Sequence, residues 1–221
     1  MTGRLILATG FGVFPGAPEN STAWAMAELE ASGWQPEGAH LVTRTLPVRF
    51  DLWDNELRPL LSSSKPDAVL SFGLSAKAVG ITLESTARNT VAKDRPDFTG
   101  VCANSDCVSD GAPMVLPTRL PLRDISIALR GHDIPIGRSD SAGDYLCNLL
   151  FYRLMEYADA GGPRVAGFIH VPYLDSQARR LIAAGAIPCE VFTLTESQLM
   201  LATKTIIEVC ARSLTAAARG E

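Results

Sequence analysis

Short, mostly apolar runs separated by helix-period segments constrain this chain more than any other feature. Leu5 to Thr9 (LILAT), Ala68 to Phe72 (AVLSF) and Val165 to Val171 (VAGFIHV) do not alternate with polar residues. That pattern belongs to strands buried on both faces. Gly10, Gly73 and Pro172 follow them and read as stops. HLVTRTLPV alternates from Leu41 and predicts a further strand, IPI (Ile134 to Ile136) a short one, and GITLESTARN an extended segment. Between these lie the helices. Asn20 or Ser21 caps one containing Trp24, Ala27 and Ala31. Trp53, Leu57, Leu60 and Leu61 recur at helical spacing, Leu122 to Leu129 forms a helix ended by Gly131, and another runs from Gly143 to about Ala160. A Thr195-Glu196-Ser197-Gln198 capping box opens the last, with Leu199, Ala202, Ile206, Val209 and Cys210 on one face. Arg88 to Pro117, rich in Gly, Pro, Asp and Asn, reads as an irregular excursion.

Strands alternating with helices predict an α/β fold, a three-layer α/β/α sandwich around a mostly parallel or mixed twisted sheet. The 221 residues are 47% hydrophobic and contain no repeat, low-complexity tract or linker, so residues 1–221 are expected to form a single domain. A net charge of -4 and a pI near 5.4 leave no basic footprint, which argues against nucleic acid as a partner. No apolar stretch reaches the ~18 residues of a membrane span, and the apolar run before Thr9 is too short for a signal-peptide core. A cytoplasmic location without membrane attachment is therefore expected. The five cysteines (Cys102, Cys107, Cys147, Cys189, Cys210) are odd in number and fit no zinc spacing, so reduced thiols are expected.

Few residues could carry chemistry. His40 precedes a strand and His132 sits in the turn Gly131-His132-Asp133; both read as solvated surface residues. His170 ends the strand GFIHV just before Pro172, where an α/β sheet delivers side chains to a site, although a satisfied, partly buried histidine would look the same. Cys147 follows the small, polar run Ser139-Asp140-Ser141-Ala142-Gly143 at the start of a helix. Cysteines on helices are most often small core residues. A first helical turn, however, offers unpaired N–H groups that favour a thiolate and can hold an oxyanion. Cys102 and Cys107 lie in the excursion, Cys189 in a strand-like run and Cys210 on an apolar helix face, and all lack that setting. A Cys–His pair needs a third group to fix the imidazole tautomer. Glu84, in the extended ITLESTARN, could supply it or could be a solvated strand residue, and the residue pattern alone does not choose.

Four segments in order resemble the type I pyroglutamyl peptidases (pyrrolidone-carboxylate peptidases), cysteine peptidases of the omega class. They are ATGFGVFPGAPENSTAW, ITLESTARN, SDSAGDYLCNLLFY and GFIHVPYLDSQ. The resemblance spans residues 5 to about 180 and implies a Cys147–His170–Glu84 triad that removes N-terminal pyroglutamate through an acyl-enzyme, with no metal or organic cofactor. It implies that Phe11 and Phe14 sandwich the lactam ring and that Leu74, Tyr145 and Leu146 also line the substrate site. It further implies a peptide substrate with a blocked N-terminus and a homo-oligomer, often a tetramer.

Departures from the family pattern fall around the triad. Leu74 stands where the family has Gln, Asp94 where it has Arg (with Arg95 next), Asp144 where it has Thr, and Leu149 where a His is common. Unpaired polar groups left by such changes can alter specificity by orders of magnitude. Two further readings follow: a thiol hydrolase of another small acyl or lactam-like amide, and a non-catalytic relative that binds blocked peptide N-termini. No Gly-rich phosphate loop is present, since GFGVFPG fits neither pattern.

Overall fold

The apolar runs become the centre of one twisted sheet because each has two faces to bury. The computed structural model describes residues 3–13 and 18–219, the side chains of 216–219 excepted. In chain order the first half runs β1 (Arg4–Phe11), α1 (Ser21–Ser32), β2 (Ala39–Leu46), a π-helical turn (Trp53–Leu57), α2 (Arg58–Ser64), β3 (Ala68–Leu74), β4 (Ile81–Glu84) and β5 (Thr86–Arg88). The second half runs β6 (Val115–Pro117), α3 (Leu122–Arg130), β7 (Ile136–Ser139), α4 (Leu146–Asp159), β8 (Val165–Val171), β9 (Tyr173–Leu174), α5 (Asp175–Ala183), β10 (Thr193–Leu194) and α6 (Glu196–Arg219). Six strands form the main sheet in the order β2-β1-β3-β8-β4-β7. Every pairing in it is parallel except β4 with β8. The expected α/β sandwich is thus a mixed, mostly parallel sheet.

Period-2 alternation divides each strand between two cores. Ile6, Ala8, Leu70, Phe72, Ile169 and Val171 pack with α1, α3 and α6 on one face. Leu7, Phe11, Val69, Ala166 and Phe168 pack on the other with α2, the π turn and α4. Side chains at the helix ends follow their chemistry. Asn20 caps α1 by accepting from Thr22 N, and Thr195 with Gln198 forms the reciprocal box at the start of α6. No helix among the described residues is long and apolar enough to cross a membrane.

Several boundaries differ from the sequence reading. Gly10 does not stop β1, which continues to Phe11, because its bare Cα lets α1 come close: a Cβ there would lie 2.6 Å from Thr22 O. Gly73 likewise sits inside β3. The strand expected at Ile134–Ile136 is β7, Ile136–Ser139. Ile134 is apolar because it joins the core, and Pro135 has no N–H for a ladder, although its carbonyl accepts from Ile81 N. Helix α4 begins at Leu146 rather than Gly143, and Cys189 lies outside any strand. His40 is in β2 and exposed, as is His132 in its turn.

The excursion after β5 is irregular up to β6, which returns to pair antiparallel with β5. Polar side chains organise it. Buried Asn89 accepts from Val108 N and Ser109 N, both at 2.9 Å, and donates to Ser109 O at 2.7 Å and Ala112 O at 3.3 Å, filling its whole amide capacity. Asp97 accepts from Phe50 N, Thr99 N and Val101 N, tying the excursion to the segment after β2. Replacing Asn89 by Ala leaves those backbone groups unpaired at about 1–3 kcal/mol. Limited proteolysis of Asn89→Ala is expected to cut first between residues 90 and 114, before the sheet unfolds.

Candidate active site

The site is built at the carboxyl end of β3 and β8, on the face that α4 covers. Register sets its rows. Gly73 pairs with His170 across β3 and β8, and Thr82 pairs with His170 from the other side, across β4. Paired residues point to the same face, so His170 stands between a glycine and a threonine. On β4, which runs antiparallel to β8, the two-residue period of the strand puts Glu84 on the same face as Thr82. There its Oε1 lies 2.7 Å from His170 Nδ1.

Gly73 makes room for the sulfur. A Cβ on Gly73 would lie 3.1 Å from Cys147 Sγ and 2.7 Å from the Phe168 ring, so the thiol sits directly over this strand. Cys147 is the second residue of α4, whose start has no side-chain cap, leaving first-turn N–H groups open. With Glu84 on Nδ1, the remaining ring nitrogen of His170 is the one available to Cys147. Phe168 packs edge-on against the imidazole, with centroids 5.0 Å apart.

Burial opposes charge on His170, but hydrogen bonding to Cys147 and Glu84 outweighs it and lifts the pKa from 6.5 to about 9. His170 is 8% exposed and Glu84 2% exposed. Glu84 Oε2 has no hydrogen-bond partner among the described residues. A buried carboxylate held by one charged partner is costly to disturb, since losing that partner strands the charge.

Around this row lie the other expected site residues. Phe11 is level with Gly73 by register, because Thr9 pairs with Ser71, and it packs against Phe168 at 6.4 Å. Phe11 and Leu146 are buried in the core on the α4 side. Tyr145 is half-buried; its hydroxyl donates to Pro96 O at 2.8 Å and its ring meets Phe50 edge-on. Leu74 sits at the end of β3 beside Tyr173 and Leu181 and walls a cavity on the far side of His170. Phe14 lies outside the described residues.

One contributor was not anticipated. Asn148, fully buried next to Cys147, accepts from Arg88 N at 3.0 Å and donates to Arg88 O and Thr90 O at 2.7 and 2.8 Å. It ties α4 to the excursion, and its one signal was an amide within the apolar run LCNLLF. Arg95 forms an ion pair with Asp144 and lies 4.9 Å above the Tyr145 ring. Two departures from the family pattern thereby meet in space. Among the described residues no group of three or more His, Cys, Asp or Glu side chains is arranged to hold a metal ion.

A thiol at a helix start, an imidazole in its reach and a buried carboxylate behind the imidazole form the constellation of a cysteine hydrolase. The comparisons agree. Residues 4–212 match the model of the pyroglutamyl peptidase family. The pyrrolidone-carboxylate peptidase of Pyrococcus furiosus is 34% identical over 184 residues, covering 83% of this chain and 88% of its own. That of Bacillus subtilis is 31% identical over 175 residues, covering 79% and 80%. Among solved structures, the Thermococcus litoralis pyrrolidone carboxyl peptidase superposes with a TM-score of 0.86 at 29% identity, covering 99% of this chain and 96% of that one. A mutant pyrrolidone carboxyl peptidase of Pyrococcus furiosus gives 0.86 at 32%, covering 95% and 99%. The chain belongs to the pyroglutamyl peptidase family.

Two outcomes follow from this geometry. His170 has a raised folded-state pKa, so its charge contributes stability that is complete below pH 6.5 and is lost as pH rises through about 9. The melting temperature is expected to fall across that window, and to fall less in His170→Asn. Gly73→Ala overfills the space under Cys147 and Phe168, at a cost of about 1–3 kcal/mol. Thermal denaturation reads that cost, and slower iodoacetamide labelling of Cys147 reads the displaced sulfur.

Proposed function

We propose that this protein removes N-terminal pyroglutamate from peptides, with Cys147 as nucleophile, His170 as proton carrier and Glu84 as the group that orients it. The observation that carries this reading is the buried Glu84–His170 hydrogen bond of 2.7 Å, aligned with a thiol over Gly73. An imidazolium beside a thiol favours the thiolate, and the pKa of about 9 keeps His170 protonated at neutral pH. The sulfur attacks the pyroglutamyl carbonyl carbon and forms a C–S bond. The resulting oxyanion is met by N–H groups of the first turn of α4. The C–N bond then breaks as His170 gives its proton to the departing amine. Water, deprotonated by His170, attacks the thioester and releases pyroglutamate, and the thiol is regenerated.

The acyl group lies toward β1 in this reading. Phe11 and Phe14 stack on the lactam, Tyr145 and Leu146 close it from the start of α4, and Leu74 bounds the site beyond Gly73. The level register of Phe11 with Gly73 supports that placement. The chain works as one domain and in the cytoplasm, a location supported by the five free cysteines. It assembles as a homo-oligomer, a tetramer by family resemblance.

The test is release of a chromogenic leaving group from a pyroglutamyl amide under reducing conditions, beside Cys147→Ala. We expect release by the wild type and a loss of about 10³-fold or more in the variant. Parallel aminoacyl amides test the retuned hydrolase: turnover of one of these with none of the pyroglutamyl amide would replace the substrate assignment. No turnover of any amide, with Cys147 no more reactive than the other thiols, would favour a binding protein.

A further inference from the structure

The order of the strands spreads the site along a line. Phe11 ends β1, Cys147 Sγ stands over β3, His170 projects from β8, and Thr82 and Glu84 project from β4. A group attached to the acyl carbon on the β1 side and a leaving amine that takes its proton from His170 must lie on opposite sides of the sulfur. The leaving side is not flat. A cavity of about 370 Å³ opens there, bordered by His170 and Glu84 and reaching Ser139 on β7. Cys147 and Phe11 are not part of its wall.

The wall has a definite chemistry. Ser75, Thr82, Ser139 and Ser141 supply hydroxyls, and Glu84, whose buried Oε2 has no partner among the described residues, borders the same space. Charge at the rim is one-sided. The Glu84 carboxylate is engaged with His170, and Asp140, between the two serines of β7 and its following turn, is paired with Arg88. Lys77, exposed on the turn after β3, reaches the cavity and is in no ion pair among the described residues. A lysine in the wall of a cavity that also carries hydroxyls complements a carboxylate.

We propose that this cavity seats the first residue of the leaving peptide and that Lys77 makes it select an acidic one. The inference rests on the peptidase reading above and adds to it the class of substrate: peptides with an aspartate or glutamate directly after the pyroglutamate. An exposed charge contributes modestly, so the expected selection is about 2–5-fold, and it weakens as salt screens the charge.

The experiment uses pyroglutamyl-glutamate amide, pyroglutamyl-alanine amide and pyroglutamyl-lysine amide, with free pyroglutamate measured by chromatography. The readout is the ratio of kcat/KM values within each protein, which cancels any general change in activity. Wild type is expected to favour the glutamyl over the lysyl substrate. Lys77→Ala should bring the ratio toward one, Lys77→Glu should invert it, and Lys77→Arg should keep it. A ratio that is the same in wild type and Lys77→Glu, with the alanyl substrate well cleaved, would overturn this inference and leave the peptidase reading standing. No cleavage of the alanyl substrate by wild type would overturn both.

Discussion

The hydrogen bond between Glu84 and His170 rests on the pairing of β4 with β8. Thr82 lies opposite His170, and the two-residue period of the strand returns Glu84 to the face that Thr82 and His170 share. The bond then organises its surroundings. It holds Nδ1, turns the other nitrogen toward Cys147, and offsets part of the cost of burying a carboxylate that is 2% exposed. Gly73 complements it from the other side by leaving a space the size of a sulfur under α4. The setting of the thiol is thus a property of three strands and one helix rather than of any local motif.

Legibility in the sequence followed how local each cause is. The α/β architecture was readable because two-sided burial makes strands apolar throughout, and β1, β3 and β8 met that pattern. The place of His170 at the carboxyl end of a buried strand was readable because strand end and Pro172 coincide. Gly10 and Gly73 misled as stops. The same residue that ends a strand also permits a close approach within one, and only the partner, α1 or α4, distinguishes the two. Glu84 was not selectable from its neighbours, since its contact with His170 comes from a strand pairing with residues 85 or more positions away. Only the family resemblance singled it out. Asn89 and Asn148 were silent for a related reason. An amide that satisfies distant backbone groups has the same sequence appearance as a solvated one.

The departures from the family pattern around Asp94 and Asp144 make physical sense together. Displacing the basic residue by one position, to Arg95, and introducing a carboxylate at Asp144 creates a pair across the start of α4, stacked on Tyr145. Such a partly exposed ion pair contributes little to global stability. Its effect is geometric, because Ala92 N also bonds to Asp144 O at 2.7 Å and fixes the backbone three residues before Cys147.

The excursion between β5 and β6 is held to the rest of the molecule by polar side chains, Asn89 within it, Asn148 from α4 and Asp97 toward Phe50, and by the few apolar ones, Val91 and Val108, that join the core on the α4 side. Hydrogen-bonded segments with little apolar burial open at lower free energy than the sheet beneath them. Here that segment also anchors the approach to α4. Opening of this segment is therefore expected before melting of the sheet, and it would remove the setting of the thiol while the fold remains. Losing the geometry of the site and losing the fold are expected to be separate events in this chain.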